Sequence, residues 1–137
     1  MAGITELIKV AEGGKISFGN HELEKKAKLE DFPFAGDILK VKTCKEITKL
    51  EKNGAFAYES VPGTTVTDFE EREDGVSFTV EGAEDAQITV GLMEDTEYEV
   101  LIDGESIGVM TTGLSGKISL GVELAAAENV SVRIEKR

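Results

Sequence analysis

Ile47-Thr48-Lys49-Leu50-Glu51-Lys52-Asn53-Gly54-Ala55-Phe56-Ala57-Tyr58 is the stretch that decides the fold. Asn53-Gly54 is the strongest hairpin signal in the chain, because both residues tolerate the positive φ that a type I′ turn demands at its two central positions. It joins Ile47-Thr48-Lys49-Leu50 to Phe56-Ala57-Tyr58. Outward from this hairpin the period stays at two, with turn residues every eight to twelve positions.

Toward the N-terminus, Ile4 to Val10 reads as a strand that Glu12-Gly13-Gly14 turns into Lys15 to Phe18, and Asp37 to Thr43 alternates. Residues 20–30 fit two periods. Leu23 and Ala27 sit at helical spacing, Ala27 and Leu29 fit a strand, and the strand is preferred. Pro62-Gly63 marks a turn. Beyond it Val66 to Phe69, Val76 to Val80, Ile88 to Leu92, Tyr98 to Ile102, Ile107 to Met110, Ile118 to Leu124 and Val130 to Ile134 read as strands, punctuated by Asp74-Gly75, Asp103-Gly104 and Ser115-Gly116. This is the spacing of a sandwich or barrel. The expected fold is all-β with about ten strands. Its C-terminal half is an antiparallel β-sandwich, with N-terminal hairpins packed on or beside it. The chain is expected to divide into a hairpin region, 1–62, and a sandwich region, 63–137, or to form one continuous domain. Gly14-Lys15-Ile16-Ser17-Phe18-Gly19 recurs as Gly116-Lys117-Ile118-Ser119-Leu120-Gly121. A turn glycine followed by an alternating strand is common enough to account for it.

Charge narrows the partners. The 137 residues carry 27 acids and 15 bases, a net charge of −12. Residues 1–62 hold ten of each, so the whole excess lies in 63–137, where seventeen acids face five bases. Such a surface repels phosphate backbones and anionic headgroups, which makes nucleic acid and bare membrane poor partners. The first ten residues lack the basic start and apolar run of a signal peptide, and no apolar stretch approaches the ~20 residues of a membrane span. With one Cys, a reducing cytoplasm is the expected compartment.

Most catalytic chemistry has no residues to perform it. His21, the one His, stands in a polar loop among Asn20, Glu22 and Glu24. Cys44 reads as a buried thiol. There is no phosphate-binding GxxxxGK[ST] loop and no GxGxxG. Phe32, Phe34, Tyr58 and Tyr98 are the aromatic candidates for a sugar platform, and all fit a core equally well. Calcium is the one cofactor the sequence suggests, and only as a weak site. If the C-terminal strands alternate up and down, the turn carrying Glu71, Glu73 and Asp74 and the turn carrying Glu94 and Asp95 fall at the same end of the sandwich. Two acidic loops plus backbone carbonyls then supply the six to eight oxygens that calcium takes.

Two groups of segments carry a resemblance. One is Lys28-Leu29-Glu30-Asp31-Phe32 with Lys40-Val41-Lys42-Thr43 and Lys45 to Gly54. The other is Tyr58-Glu59-Ser60-Val61-Pro62-Gly63-Thr64 with Val80 to Thr89. Together they resemble a family of short acidic bacterial proteins that go by the name endosialidase, over nearly the whole chain. The resemblance implies cleavage of sialic-acid polymers. The C-terminal pattern, with Tyr98-Glu99-Val100, Asp103-Gly104, Thr111-Thr112 and Val130 to Ile134, also resembles accessory β-sandwich modules of bacterial carbohydrate-active and surface proteins. Against hydrolysis, the chain has three Arg (Arg72, Arg133 and Arg137), no Trp, and no Asp-box turn. Its Tyr58-Glu59 and Tyr98-Glu99 pairs are adjacent in strands, which points nucleophile and base to opposite faces. The residues therefore read as a non-catalytic interaction or assembly module, expected to form homo-oligomers, with a protein or glycan partner that the sequence does not specify. A sialidase-like glycoside hydrolase and a calcium-dependent carbohydrate-binding module are the alternatives.

Overall fold

The computed structural model describes residues 7–11, 15–34, 36–125 and 129–137. The chain is all-β. The strands are β1 (Ile8–Ala11), β2 (Lys15–Phe18), β3 (Ala27–Phe34), β4 (Asp37–Thr43), β5 (Thr48–Lys52), β6 (Ala55–Val61), β7 (Thr65–Arg72), β8 (Gly75–Glu81), β9 (Ala86–Gly91), β10 (Glu97–Ile102), β11 (Glu105–Thr111), β12 (Lys117–Val122) and β13 (Val130–Lys136). A 3-10 turn, Gly113–Ser115, precedes β12. The described residues thus form thirteen strands where the sequence suggested about ten. Residues 4–6 of the first expected strand, and the Glu12-Gly13-Gly14 turn, lie outside the described residues.

Every ladder is antiparallel, in two sheets. One runs β1-β2-β7-β8-β13-β10-β11 and the other β12-β9-β6-β5-β4-β3. The N-terminal hairpins lie beside the C-terminal strands in each sheet. The β2–β7 and β6–β9 ladders cross the 62/63 junction, so both sheets draw on both halves of the chain. The sheets touch in a sandwich-like arrangement through rings. Tyr58 of β6 meets Phe18 of β2 edge-on at 5.3 Å and Phe78 of β8 at 5.5 Å. Edge-on contacts of this kind add about 0.5–1.5 kcal/mol each beyond area burial.

The turn chemistry explains the hairpins. Asn53 and Gly54 have φ of 52° and 80°, and Asp103 and Gly104 have 51° and 84°. These are the positive values that Asn-Gly and Asp-Gly accept at small steric cost. Residues 20–26 are loop, and β3 begins at Ala27, so the strand preferred for this segment covers only its end. Within β3 the register shifts between Leu29 and Phe32, where Asp31 takes φ 56°. That bulge breaks the alternation on which the sequence reading relied. The two Lys-Ile-Ser segments of the recurrence fall on β2, interior to one sheet, and on β12, at the edge of the other.

The chain switches sheets between β6 and β7, and buried hydroxyls hold the switch. The Val61–Pro62 bond is cis. A Cβ on Gly63 would run into the carbonyl oxygen of Cys44, so only glycine fits there. The hydroxyl of Thr48 donates to the Thr64 carbonyl at 2.7 Å and accepts from the Thr64 N–H at 3.0 Å. Its remaining contact, Thr43 Oγ1 at 2.9 Å, must therefore donate to it. Thr43 in turn accepts from the Asn20 N–H at 2.8 Å, which pins the β2–β3 crossing. On the other side Thr64 Oγ1 lies 2.8 Å from the Tyr58 hydroxyl and 2.7 Å from Ser60 Oγ. Cys44, beside this network, is a free buried thiol as its surroundings in the sequence suggested.

Thr48→Val keeps the shape but leaves the N–H and carbonyl of Thr64 without their partner. It is expected to lower stability by about 2–3 kcal/mol, the cost of stranding buried polar groups. Thr89→Val, at the exposed Thr89–Ser119 hydroxyl pair, is expected to cost under about 1 kcal/mol. Urea unfolding with unchanged slope measures both.

Burial pushes the Tyr58 phenol far above its usual range, against the opposing effect of its hydrogen bonds to Thr64 and Ser60. The folded protein keeps the proton where the unfolded chain gives it up, near pH ~10. The contribution to stability is whole below that pH and is lost as pH rises above it. A melting temperature that falls steeply above pH ~10, and less steeply in Tyr58→Phe, is the expected result.

Candidate functional site

A cleft of about 440 Å³ lies at one end of the molecule. The start of β6 supplies Ala55 and Phe56, the β7–β8 turn supplies Glu71, Arg72 and Glu73, and the β9–β10 loop supplies Leu92 and Met93. Tyr98 and Lys117 close it. Three of the charges in it, Glu71, Arg72 and Lys117, have partners. Arg72 donates through Nη1 to Ser77 Oγ at 2.9 Å and pairs with Glu70 and Asp74, each at 3.4 Å. Its Nη2 is buried with no partner among the described residues. Glu71 pairs with Lys52 at 3.1 Å. Lys117 Nζ sits 4.3 Å above the Phe56 ring, a cation–π contact. The Tyr98 hydroxyl accepts from the Met93 N–H at 3.2 Å. His21 is elsewhere, with Nδ1 2.8 Å from Thr65 Oγ1. No imidazole therefore enters the cleft to act as base.

The five acids singled out for calcium are distributed unevenly. Glu71 and Glu73 line the cleft, while Asp74, Glu94 and Asp95 do not. The β9–β10 loop is stapled through its backbone instead. Asp95 has φ 46°, its N–H donates to the Gly113 carbonyl at 2.8 Å, and Thr96 Oγ1 donates to the Glu94 carbonyl at 2.7 Å. Among the described residues, no group of three or more His, Cys, Asp or Glu is placed to hold a metal ion. Arg72 lies where a cation would have to balance Glu70 and Asp74. Phe18, Tyr58 and Tyr98 are core residues, and Phe32 and Phe34 pack against the core.

What sequence reasoning missed is a sheet edge. Among the described residues, four strands have a ladder on one side only: β1 and β11 in one sheet, β12 and β3 in the other. Such edges offer unpaired N–H and C=O groups to any extended chain, and proteins guard them with charge, Pro and bulges. The β3 edge is guarded in all three ways, by Lys28 and Glu30, by Pro33, and by the bulge at Asp31. The hydrogen bond from Lys28 and its charge, then the charge of Lys40, hold the Glu30 carboxyl below the usual range, so this guard stays ionised. β1 is four residues long and carries Lys9, and β12 opens with Lys117. The β11 edge differs. It is seven residues long, contains no Lys, Arg or Pro, has one charge, Glu105, at its start, and carries a single register shift, at Ile107. All its residues are exposed except the half-buried Met110, and Ile107 and Val109 stand 48% and 46% exposed. The sequence signal was available, as a strand from Ile107 to Met110 without a basic residue, but nothing in it marked that strand as outermost.

Among the described residues no helix is long and apolar enough to cross a membrane. No family model matches the chain, and no curated protein or solved structure matches it either.

Because Arg72 already supplies positive charge to the β7–β8 turn, titration with millimolar calcium is expected to give no heat and no change in melting temperature. A shift abolished by Asp74→Ala or by Asp95→Ala would instead establish a calcium site at this end.

Proposed function

We propose that the protein is a non-catalytic interaction and assembly module, built as a β-sandwich, that associates with further copies of itself. The observation that carries this reading is the long, exposed edge strand β11, with one charge and one bulge, in a chain whose β3 edge carries three charges, Pro33 and a bulge. A free edge of this kind is matched by another extended strand, because only a strand satisfies its row of backbone donors and acceptors. The cleft supports the same reading from the other side, since its Glu71, Arg72 and Lys117 are engaged with neighbouring charges or with an aromatic ring. The buried thiol of Cys44 suits the reducing cytoplasm.

Sedimentation equilibrium tests the assembly. A dimer or larger closed species is expected in the micromolar range and is expected to persist from about 50 mM to about 1 M salt, because ion pairs between exposed side chains contribute little to it. A monomer at high micromolar concentration would refute the reading. Incubation with polysialic acid is expected to release neither sialic acid nor shorter oligomers. Release by pure protein, lost on substituting Glu71 or Glu73, would replace assembly with hydrolysis.

A further inference from the structure

Asn53 ties two turns together. The ladder between β4 and β5 ends at Leu39 and Lys52. One position further, the Asn53 N–H donates to the Ile38 carbonyl at 2.8 Å. The return bond of such a pair would go to the Asn53 carbonyl, but the residue turns away from strand geometry with φ 52°. Its side chain takes that place. Oδ1 accepts from the Ile38 N–H at 2.9 Å, and Nδ2 donates to Asp37 Oδ1 at 2.8 Å. Lys52 Nζ stands 3.8 Å from the other oxygen of Asp37. Both ends of the Asn53 amide are therefore clasped by the start of β4, in a residue that is itself exposed.

The same residue is chemically vulnerable. Asn53 is followed by Gly, whereas Asn20 precedes His21 and Asn129 precedes Val130. Gly54 is exposed, and a Cβ placed on it would meet nothing within 4 Å. With no side chain in the way, a glycine leaves its main-chain nitrogen open to the preceding residue. Once hydroxide removes its proton, that nitrogen can attack Asn53 Cγ. The N–Cγ bond forms, the Cγ–Nδ2 bond breaks, and Nδ2 leaves as ammonia with a proton from water. Water then opens the five-membered imide, on the Cγ side to give Asp and on the main-chain side to give isoaspartate. One water is consumed and one ammonia is released, with no oxidation or reduction. To present its face to Gly54, the amide must turn out of the plane in which β4 holds it, and to leave, Nδ2 must give up Asp37.

We propose that Asn53 is a deamidation site that the folded protein holds closed through its clasp with Ile38 and Asp37, and that conversion of the residue then keeps the clasp open. As Asp, residue 53 still offers an oxygen to the Ile38 N–H, but the group that donated to Asp37 becomes a second carboxylate oxygen. Two acids then face each other where a hydrogen bond stood. Lys52 is the cation between them, and it is already paired with Glu71 at 3.1 Å. Like charges set directly opposite each other across strands are destabilising. As isoaspartate, the main chain is one atom longer inside the two-residue turn that joins Lys52 to Ala55. Turn geometry fixes hairpin register, so the added atom works against the pairing of β5 with β6. The modification thus acts through charge and register at a single turn.

The full chain is held in mildly alkaline buffer, and residue 53 is followed by peptide mapping with mass spectrometry, which separates Asn from Asp and isoaspartate. Deamidation of the folded wild type is expected to be roughly ten- to hundredfold slower than in urea, the protection that two hydrogen bonds supply. Asp37→Ala is expected to deamidate about three- to tenfold faster than the wild type. Asp37→Asn, which keeps an acceptor for Nδ2, is expected to react at the wild-type rate. Circular dichroism and urea midpoints establish that both variants are folded. The consequence is read as a melting temperature at low salt. Asn53→Asp is expected to melt below the wild type, and adding Asp37→Asn to it, which reverses donor and acceptor, is expected to recover part of the loss. A folded wild type that reacts as fast as the unfolded chain, an Asp37→Ala variant no faster than the wild type, or an Asp37→Asn variant as fast as Asp37→Ala overturns the protection. An Asn53→Asp variant as stable as the wild type, or a double variant no more stable than Asn53→Asp, overturns the consequence. Should Asp37→Ala fail to fold, the wild-type comparison and the Asn53→Asp pair still decide both.

Discussion

The hydroxyl of Thr48 is the point on which the arrangement of the two sheets depends. It satisfies both backbone groups of Thr64 and is itself satisfied by Thr43. Thr64 stands where the chain leaves the six-stranded sheet for the seven-stranded one, and Asn20, bonded to Thr43, stands where it first passes the other way. Backbone that crosses between sheets has no ladder to satisfy it, yet here it is buried. Side-chain hydroxyls supply the missing partners at close range and without charge. The β9–β10 and β11–β12 crossings repeat the solution. Thr112 Oγ1 donates to the Met93 carbonyl at 2.6 Å and accepts from the Thr96 N–H at 3.0 Å, tying the β9–β10 loop to the β11–β12 loop. Aromatic packing between Tyr58, Phe18 and Phe78 then fills the space that these crossings enclose.

The strands themselves were legible in the sequence, because one buried face imposes period two. β2 and β4 begin and end where the alternation begins and ends. β3 was obscured because its bulge at Asp31 takes the strand out of alternation while the ladder to β4 continues. Sheet membership was not legible at all. Pro62-Gly63 announced a turn, but a hairpin turn and a crossing between sheets use the same residues. What distinguishes them is the approach of Gly63 to the Cys44 carbonyl, a contact between positions nineteen residues apart in sequence. The threonines that hold the crossings read simply as good strand formers.

The candidate site was legible in part for the same kind of reason. Placing the Glu71–Asp74 turn near the Glu94–Asp95 loop needed only local turns, and the cleft does bring Glu71 and Glu73 together with Leu92 and Met93. Which acids have partners could not be read. Arg72 is two residues from both Glu70 and Asp74 in sequence, and its engagement with them and with Ser77 depends on strand pairing between β7 and β8. The β11 edge was invisible for a more basic reason. Periodicity reports which face of a strand is buried, and says nothing about whether a neighbour lies on each side.

The charge split acquires a physical meaning beside that edge. A groove next to β11 is lined by Ile102, Ile107, Val122 and Val130 with Asp103, Glu105 and Glu123, and by no basic residue. Seventeen acids in 63–137 give each copy a repulsive field that reaches about 8 Å at physiological salt. Beyond that distance two copies are indifferent to one another, and within it loose or misaligned contacts are opposed. A continuous backbone ladder is different in kind. Its hydrogen bonds form at about 2.9 Å and come all together or not at all, so it can outweigh a diffuse repulsion that a partial contact cannot. Acidity and the guards on β3 therefore act alike, against unintended pairings.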